Sequence, residues 1–402
     1  MKYSPQEVIQ YVLEEDVKFI RLAFCDVYGR PKNISIMPPE LKRAFEYGIA
    51  IDASAIAGFG DVVHSDLLLH PDPATLAVLP WRPEHGRVVR MYCAVSYPDG
   101  PAFESDTRAL LQKAVADAGA AGYRFDFGSE MEFYLFKLDE NDQPTAIPYD
   151  QAGYMDIAPE DKCENVRREI CLTLEQMGIQ PESSHHEEGP GQNEIDFRYS
   201  DALTAADNAV TFQTVVKTIA ARNGLYADFS PKPIQDRPGS GFHINISVKG
   251  GDMTAMPCMI GGILNRISEM TLFLNPTDRS YHRLGFNKAP KYISWSSDNR
   301  SQLIRIPSAT GEYRRAELRS PDPTANPYIA FALLIWAGLE GIANRQELPM
   351  ACNRNLFQAD AKALTELKML PQSRAAAAKI ARESSFIREH LPEGLLRFFC
   401  QG

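Results

Sequence analysis

Residues 128–136, GSEMEFYLF, place two acidic side chains in a segment that otherwise has the apolar composition of a buried β-strand. Because successive side chains of a strand point to opposite faces, Glu130 and Glu132 project together from one face. Met131 and Phe133 begin an apolar face on the other side. Neighbouring carboxylates repel one another unless a positive charge lies between them. A solvated strand face and a divalent cation explain the pattern about equally well, and oxygen ligands favour Mg²⁺ or Mn²⁺ over Zn²⁺.

A second acidic segment is HHEEGPGQNEIDF, residues 185–197. It places Glu187, Glu188 and Glu194 on the two sides of a Gly-Pro-Gly turn, and acids on both arms of such a bend can converge on one point. Taken alone, the segment is more typical of a polar surface loop than of a metal site.

Two later segments add a histidine and several arginines. In PGSGFHIN, residues 238–245, small residues allow close backbone approach to a ligand, and His243 shares a strand face with Asn245. In RRAELR, residues 314–319, a shared strand face suits phosphate or carboxylate recognition beside a metal. Its members are Arg315, Glu317 and Arg319. A lone, hydrogen-bonded histidine and a surface ladder of ion pairs are the ordinary alternatives.

Acids, one histidine and arginines on sheet strands together predict polyphosphate and metal chemistry. Cations would neutralise a nucleotide, and arginines would brace a transferring phosphoryl group. The sequence contains neither a G-x-x-x-x-G-K-[ST] loop nor a protein-kinase catalytic loop. The common nucleotide-binding folds are therefore disfavoured.

The chain has 402 residues, which predicts two domains or a small domain beside a large one. Its 52 acidic and 42 basic residues give a net charge of −10, so nucleic acid and anionic membranes are poor partners. We expect no membrane span, since the longest apolar run, residues 328–339, is shorter than the roughly 20 residues that cross a bilayer. The absence of a signal-peptide pattern and seven scattered cysteines favour the cytoplasm.

Hydrophobic periodicity predicts a small β-rich unit followed by a larger mixed one. A helix at 5–15 precedes strands over 17–37, 75–81 and 88–97, and a domain boundary lies near residue 100. The next helix begins with Ser105 or Asp106 as its cap. Strands then alternate with helices, which predicts an α+β or mixed α/β domain around one large sheet. The expected helices cover 164–178, 201–223, 254–273, 326–344, 357–368 and 372–389.

An ordered set of motifs resembles the glutamine synthetase family, of the bacterial type I class. The motifs are IDASAI, Glu-x-Glu, HHE with GQNEI, PKP with GSGFH, NPTDRSYHRL, NRSQLIRIP and RRAELRSPDPTANPY. The resemblance covers nearly the whole chain. It implies an α+β fold with a β-grasp domain at residues 1–100 and a catalytic domain at 101–402, where an antiparallel sheet lines the active-site funnel. It also implies an ATP-dependent glutamate–ammonia ligase that forms homo-oligomeric rings with active sites between subunits.

The resemblance also assigns roles to individual residues. One metal, Mg²⁺ or Mn²⁺, would be held by Glu132, Glu187 and Glu194, and a second by Glu130, His243 and Glu317. Glutamate would contact Gly239, Arg283 and Arg319, and the ATP phosphates would face Asn245, Arg300, Arg305 and Arg315. The incoming amine would be surrounded by Asp52 of the adjacent subunit, Asp66 and Tyr154. The expected catalytic set is Asp52, Asp66, Arg300 and Arg319.

Three positions depart from the family's motifs. Lys288, in LGFNKAP, replaces a flap glutamate that is the expected partner of ammonium. Asn245 replaces a second histidine near the γ-phosphate, and Pro238 replaces an asparagine that is expected to help hold the substrate. A lysine cannot accept a proton as a carboxylate does, and an inward-pointing Lys288 would disfavour an ammonium ion.

These observations leave three functions open. The first is a ligase that makes glutamine from glutamate and ammonia. The second keeps the phosphoryl half-reaction but uses an organic amine, as Lys288 and Pro238 suggest. The third is a catalytically silent structural or regulatory oligomer, which is disfavoured because the expected metal positions and arginines are all retained.

Overall fold

The computed structural model describes residues 3–60, 65–82, 85–307, 314–360 and 364–401. The chain divides into two compact units. One contains residues 1–110 with 171–179, and the other contains residues 111–170 with 180–402. The expected boundary at residue 100 stays a prediction. Among the described residues, no helix combines the length and hydrophobicity needed to cross a membrane.

A six-stranded sheet forms the first unit. Its strands are β1 (Val17–Cys25), β2 (Pro31–Ile36), β3 (Ile49–Asp52), β4 (Asp66–Pro71), β5 (Ala77–Val78) and β6 (Arg87–Ser96), accompanied by helices α1 (Pro5–Glu14) and α2 (Leu41–Tyr47). The order is β2-β1-β6-β4-β3, with β5 paired to β6. The expected hairpin of β1 and β2 is confirmed, and Asp26 closes its turn by accepting from the backbone N–H groups of Tyr28 and Arg30. Residues 75–81, expected as a strand, contribute only the short β5.

The second unit is built on a nine-stranded sheet. Its strands are β7 (Arg124–Leu138), β8 (Pro144–Pro148), β9 (Pro181–His186), β10 (Gln192–Asp201), β11 (Leu225–Asp228), β12 (Phe242–Lys249), β13 (Trp295–Ser297), β14 (Ile304–Ile306) and β15 (Ala316–Leu318). The order is β13-β14-β15-β12-β7-β10-β9, and β8 and β11 also pair with β7. All these pairs are antiparallel except β13 with β14. The α+β class is therefore confirmed.

The remaining helices include those expected at 164–178, 201–223, 254–273 and 326–344, whereas the short helices at 278–283 and 393–400 were not expected. In chain order, the remaining helices are α3 (Thr107–Ala120), α4 (Glu164–Gln176), α5 (Ala202–Arg222), α6 (Ala255–Leu274), α7 (Asp278–Arg283), α8 (Pro327–Ala343), α9 (Arg374–Glu383), α10 (Ser385–His390) and α11 (Glu393–Cys400). Asp106 caps α3, since its Oδ1 accepts from the backbone N–H groups of Arg108 and Ala109.

One expected helix, over residues 372–389, is wrong because the structure divides it into α9 and α10. Ser384 leaves the helical conformation, with φ −71° and ψ 125°, and its hydroxyl accepts from the backbone N–H of Ile387 to begin α10. A side-chain cap of this kind competes with helix continuation. The helix expected over 357–368 includes residues 361–363, which lie outside the described residues.

The apolar face of β7 is buried under helices. Phe127, Met131 and Phe133 are all fully buried, as the alternation in the sequence predicts. The Phe127 ring stacks on Phe331 of α8, with centroids 4.3 Å apart and planes 8° from parallel. Helices α5 and α6 cover the same sheet at β7, β10 and β12. The opposite face, which carries Glu130 and Glu132, is thereby left for ligands.

The crossing of α6 and α8 depends on two glycines, and this gives a stability prediction. A Cβ at Gly262 would lie 2.2 Å from the carbonyl oxygen of Ala337, and one at Gly341 would lie 2.3 Å from that of Cys258. Gly262→Ala should therefore lower the free energy of unfolding by about 1–3 kcal/mol, because the backbones must move apart. The measurement is the urea midpoint.

The matched control is Gly119→Ala in α3, where a Cβ has no heavy atom within 4 Å. Alanine is the better helix former by about 1 kcal/mol, so this variant should be neutral or stabilised. Equal midpoints for the two variants would contradict the close packing of α6 and α8.

Candidate active site

The strand register carries the polar side chains of the site in three rows across one face of the nine-stranded sheet. Opposed residues of antiparallel strands share a face, and residues two apart along a strand share it too. The rows are His185, Glu194 and Glu132; Asp196, Glu130 and His243; and Asn245, Glu317 and Arg305. The antiparallel sheet thus brings together residues that lie up to 187 positions apart, from Glu130 to Glu317.

Carboxylate and imidazole atoms of these rows lie close enough to bind cations. Glu130, His243 and Glu317 offer ligand atoms within 4.8 Å of one another, and these are the residues that the motifs assign to one metal. Three other such groups share Glu194. They are Glu132 with Glu194 and His243; His185 with Glu187 and Glu194; and Glu130 with Glu194 and Asp196. The first metal's expected ligands, Glu132, Glu187 and Glu194, are thus distributed over overlapping groups around Glu194.

Asp196 is a site residue that the sequence analysis missed. It lies two residues after Glu194 on β10 and opposite Glu130 on β7, so the same i, i+2 rule that paired Glu130 with Glu132 could have found it. Its Oδ1 is buried and has no hydrogen-bond partner among the described residues. A buried carboxylate oxygen without a donor, among other acids, fits a site built for a cation.

Burial and mutual repulsion shift the acid pKa values in opposite directions along the rows. Burial, reinforced by the charge of Asp196, raises the pKa of Glu194 well above its usual range. Burial and the charge of Glu130 raise the pKa of Asp196 to about 6. Burial would also raise the pKa of Glu130, but the hydrogen bond and charge of His243 bring it to about 2. Negative charge is therefore least compensated around Glu194 and Asp196.

Arginines compensate the other side of the site. Glu317 is fully buried and accepts hydrogen bonds from Nε of Arg305 at 2.5 Å and from Nε of Arg319 at 3.0 Å. Arg319 also donates to the backbone carbonyl of Arg300. Charge-assisted bonds of this kind fix the planes of the guanidinium groups as well as their positions.

Asn245 links an acid to an arginine. Its Nδ2 donates to Glu130 Oε1 at 2.8 Å, and its Oδ1 accepts from Arg315 Nε at 2.9 Å. The side-chain amide of asparagine donates through its nitrogen and accepts through its oxygen at the same time. A neutral imidazole also donates and accepts, but its two nitrogens lie on opposite edges of the ring. Asparagine therefore joins a predicted metal ligand to a predicted phosphate contact.

The expected glutamate contacts lie beside Glu132. Arg283 is buried and donates to the backbone carbonyls of Ser320 at 2.7 Å and Arg319 at 3.3 Å. Gly239 approaches it closely, since a Cβ there would lie 2.4 Å from the carbonyl oxygen of Pro231 and 2.9 Å from Cγ of Arg283. Glycine is required at this position because any side chain would displace the arginine.

Gln192 is a second polar group that the sequence analysis did not single out, although it lies in the quoted GQNEI motif. Its Nε2 donates to Glu132 Oε2 at 3.0 Å and to the carbonyl of Gly239 at 3.2 Å. Tyr134 donates to the carbonyl of Pro238 at 2.6 Å. These bonds tie the loop before β12 to the strands that carry the acids.

Lys288 lies at the rim of the same site. Its Nζ is 2.5 Å from Glu188 Oε1 and 5.4 Å from the centroid of the Tyr154 ring. The Tyr154 ring in turn meets His185 edge to face, with centroids 5.4 Å apart. Lys288 thus faces the residue expected to contact the amine, while its side chain stays 52% exposed.

A cavity of about 640 Å³ contains most of the predicted site residues. Those that line it are Glu130, Glu132, Tyr154, Glu187, Glu194, Gly239, His243, Arg283, Arg300, Arg305, Arg315 and Arg319. Glu317 lies behind Arg305 and Arg319. Asn245 lines a neighbouring cavity of about 120 Å³ that shares Glu130, Asp196 and Arg315 with the first.

Asp52 and Asp66 lie opposite each other on β3 and β4 of the first unit, and both are exposed. Asp52 accepts from the backbone N–H and the hydroxyl of Ser54. Both acids belong to the first unit, whereas the cavity is lined by residues of the second. Their contribution from an adjacent subunit stays a prediction.

The raised acid pKa values predict how divalent cations affect stability. Burial and the charge of Glu130 raise the pKa of Asp196 from its ordinary 3.8 to about 6 in the folded chain. Without a cation, the contribution of Asp196 to the free energy of unfolding is therefore fully present below about pH 4, where the residue is protonated in both states. It is lost as the pH rises through about 6. Cations bind the ionised form. Mn²⁺ should thus raise the midpoint of thermal unfolding more at about pH 7.5 than at about pH 5. An equal increase at both pH values would contradict cation binding by these acids.

Comparisons with known proteins agree with this geometry. Residues 16–98 match the family model described as glutamine synthetase, beta-Grasp domain, and residues 104–402 match glutamine synthetase, catalytic domain. A protein named glutamine synthetase from Clostridium saccharobutylicum is 43% identical over 418 aligned residues, which cover 100% of this chain and 94% of that protein. Another of that name, from Methanosarcina mazei, is 45% identical and covers 97% and 91%.

A solved structure titled "GmaS/ADP complex-Conformation 1" superposes with a TM-score of 0.88 at 26% identity, covering 97% of this chain and 93% of that one. The resemblance of the motifs and the β-grasp expectation are both confirmed. The family is ATP-dependent, uses divalent metals and acts on small molecules. Since the two family matches span nearly the whole sequence, the chain belongs to the glutamine synthetase family of ligases.

Proposed function

We propose that this chain activates the γ-carboxylate of glutamate with ATP as γ-glutamyl phosphate and then captures it with ammonia, giving glutamine, ADP and phosphate. The observation that supports this most directly is the meeting of Glu130, His243 and Glu317 with Arg305 and Arg319 at one cavity. A carboxylate is a poor electrophile, and conversion to an acyl phosphate supplies a leaving group. Grouped acids and arginines suit that transfer of a phosphoryl group.

Two divalent cations, Mg²⁺ or Mn²⁺, fit the donor set of carboxylates and one imidazole. Glu132, Glu187 and Glu194 would hold one, and Glu130, His243 and Glu317 would hold the other. When bound, the cations would offset the charge of the acids and polarise phosphoryl oxygens. The buried, unpartnered Oδ1 of Asp196 and the raised pKa of Glu194 support a cation requirement on this side.

The arginines divide the remaining work. Arg283 is held by two backbone carbonyls beside Gly239, a position suited to the carboxylate of glutamate. Arg300, Arg305 and Arg315 line the cavity on the side of β14 and β15 and would face the ATP phosphates. Arg319 is oriented by Glu317 and would act near the reacting carboxylate. The solved relative whose title records bound ADP supports a nucleotide in this fold.

Asp52, Asp66 and Tyr154 would surround the amine, and the two acids would take up its proton, with Asp52 supplied by an adjacent subunit. This role requires a homo-oligomer in rings with active sites between subunits, built from a β-grasp domain at residues 1–100 and a catalytic domain at 101–402. We place the protein in the cytoplasm, where ATP and glutamate are available.

An organic amine in place of ammonia is the second candidate, and Lys288 favours it. The lysine stands where the family's motif has a flap glutamate, and its Nζ lies near the Tyr154 ring. A positive charge there disfavours an ammonium ion, whereas an amine with its own acidic or hydroxyl group could use it. The paired Glu188 reduces this effect, so ammonia remains the first candidate.

Phosphate release from ATP with Mg²⁺ and glutamate tests the function. We expect release to depend on ammonium and to form glutamine in equal amount. Glu132→Ala should abolish the signal because a predicted metal ligand is lost, and it therefore controls for contaminating ATPases. Release with an organic amine but not with ammonium would establish the second candidate. No release with ammonium or with any amine of a panel would favour a catalytically silent oligomer.

Lys288→Glu tests the rim charge. Lys288→Glu replaces a positive by a negative charge, and at about 4 Å from an exposed ammonium site this change of two unit charges corresponds to about 2 kcal/mol, or roughly a thirtyfold change in equilibrium. The KM for ammonium should therefore fall by up to about thirtyfold, while the KM for ATP stays unchanged. The matched control is Lys291→Glu, in the same segment but outside the described lining of the cavity. Equal KM values for Lys288→Glu and the unchanged chain would show that Lys288 does not act on the amine.

A further inference from the structure

A buried polar cluster lies directly behind the turn that carries Glu187. It consists of Asp150, Asp161, Cys163 and His186, whose ligand-type atoms all lie within 4.8 Å of one another. Exposure of each residue is 4% or less. None of the four lines the cavity of the active site. Polar groups this deeply buried need a compensating network, so their role follows from what they bond.

Asp150 joins two separate segments of backbone. Its Oδ1 accepts from the backbone N–H of Gly191 at 2.9 Å and lies 2.9 Å from Nε2 of His186. Its Oδ2 accepts from the backbone N–H of Lys162 at 3.0 Å and from the thiol of Cys163 at 3.2 Å. One carboxylate therefore ties the loop of residues 150–163 to the β9–β10 turn, residues 187–191.

His186 contacts both of the segments that Asp150 connects. Its Nδ1 lies 2.7 Å from the backbone carbonyl of Glu187, the neighbouring residue that carries a predicted metal ligand. Its own carbonyl accepts from the backbone N–H of Met155 at 2.9 Å, next to Tyr154. The imidazole is wholly buried, so these hydrogen bonds are shielded from competition with water.

The same four residues could be interpreted as a metal centre, but their atoms are already engaged. Arg167 pairs with Asp161 at 2.5 Å and donates to Asn193 at 2.7 Å, which places a guanidinium inside the cluster. Both ring nitrogens of His186 face oxygen acceptors at hydrogen-bond distance. A cation would have to displace these bonds and approach a buried guanidinium.

We propose that Asp150 and His186 are positioning residues: together they hold the Glu187 turn and the Tyr154 loop at the metal and amine side of the cavity. The proposal rests on the proposed function for the roles of Glu187 and Tyr154. Neither positioning residue lines the cavity. Their effect passes through the backbone of Glu187 and of Met155.

The test uses Asp150→Asn and His186→Gln in the full chain. Asparagine keeps the shape of Asp150 but replaces one of its two acceptor oxygens with an NH₂ donor and removes the negative charge. Glutamine can donate to Asp150 or to the Glu187 carbonyl, but it cannot place nitrogens on both sides as imidazole does. Calorimetric titration with Mn²⁺ should show one site weakened by about 10–100-fold, the range for groups that orient metal ligands, with the other site retained. The KM for the nitrogen substrate should rise with that for ATP unchanged.

Two further variants separate positioning from general destabilisation and from metal binding at the cluster. Tyr328→Phe removes a buried hydrogen bond to Asp207 elsewhere in the unit, and it should lower the thermal midpoint without changing Mn²⁺ affinity. Cys163→Ser keeps a donor to Asp150 and should retain both Mn²⁺ sites. Loss of a bound metal ion in Cys163→Ser would overturn the proposal in favour of a metal centre.

Wild-type Mn²⁺ affinities in Asp150→Asn and His186→Gln would also overturn it. Failure of the proposed function gives a different result, because the unchanged chain would then neither bind Mn²⁺ nor release phosphate. Should Asp150→Asn fail to fold, His186→Gln carries the same measurement, since it leaves the bonds from Gly191 and Lys162 to Asp150 in place.

Discussion

Repulsion among carboxylates on one buried sheet face is the constraint on which the catalytic unit depends. Charges removed from water must be paired or neutralised, or their protons are retained. Glu317 meets this requirement with two arginines, and Glu130 meets it with His243. Glu194 and Asp196 do not, and burial raises their pKa values. The carboxylates on the side of β15 are therefore compensated by cationic side chains, whereas those on β10 are not. A bound cation would stabilise the β10 side most.

The sheet can hold these charges close together because its other face is secured by apolar packing. Phe127 stacks on Phe331, and α5, α6 and α8 cover the strands from behind. Strand register then fixes the acids within a few ångströms, as metal binding requires. Residues at the rim are positioned differently, through turns and side-chain bonds such as those of Asp150 and His186. The predicted ligands on strands are thus held by strand register, and the contacts on loops are held by buried hydrogen bonds.

Local rules predicted the shared face of Glu130 and Glu132, and they could also have found Asp196, because alternation within one strand is readable from sequence. The grouping of Glu130 with His243 and Glu317 came from motif resemblance, since register between distant strands depends on long-range packing. Neither approach showed where Lys288 points, because its partner, Glu188, lies 100 positions earlier in a different loop. The division of residues 372–389 at Ser384 was missed for a similar reason, since a capping hydroxyl overrides good helical periodicity.

The Lys288–Glu188 pair reduces the effect of having a lysine where the family's motif has a flap glutamate. A lysine alone would convert an ammonium-attracting rim into a repelling one, but Glu188 brings a carboxylate to within 2.5 Å of it. The two charges nearly cancel at a distance, and water screens what remains because the lysine is 52% exposed. Net charge at the rim therefore discriminates weakly between ammonia and a larger amine. For the proposed amine site, the space between the ion pair and the Tyr154 ring would therefore be the stronger basis for selection, because a larger amine needs more room than ammonia.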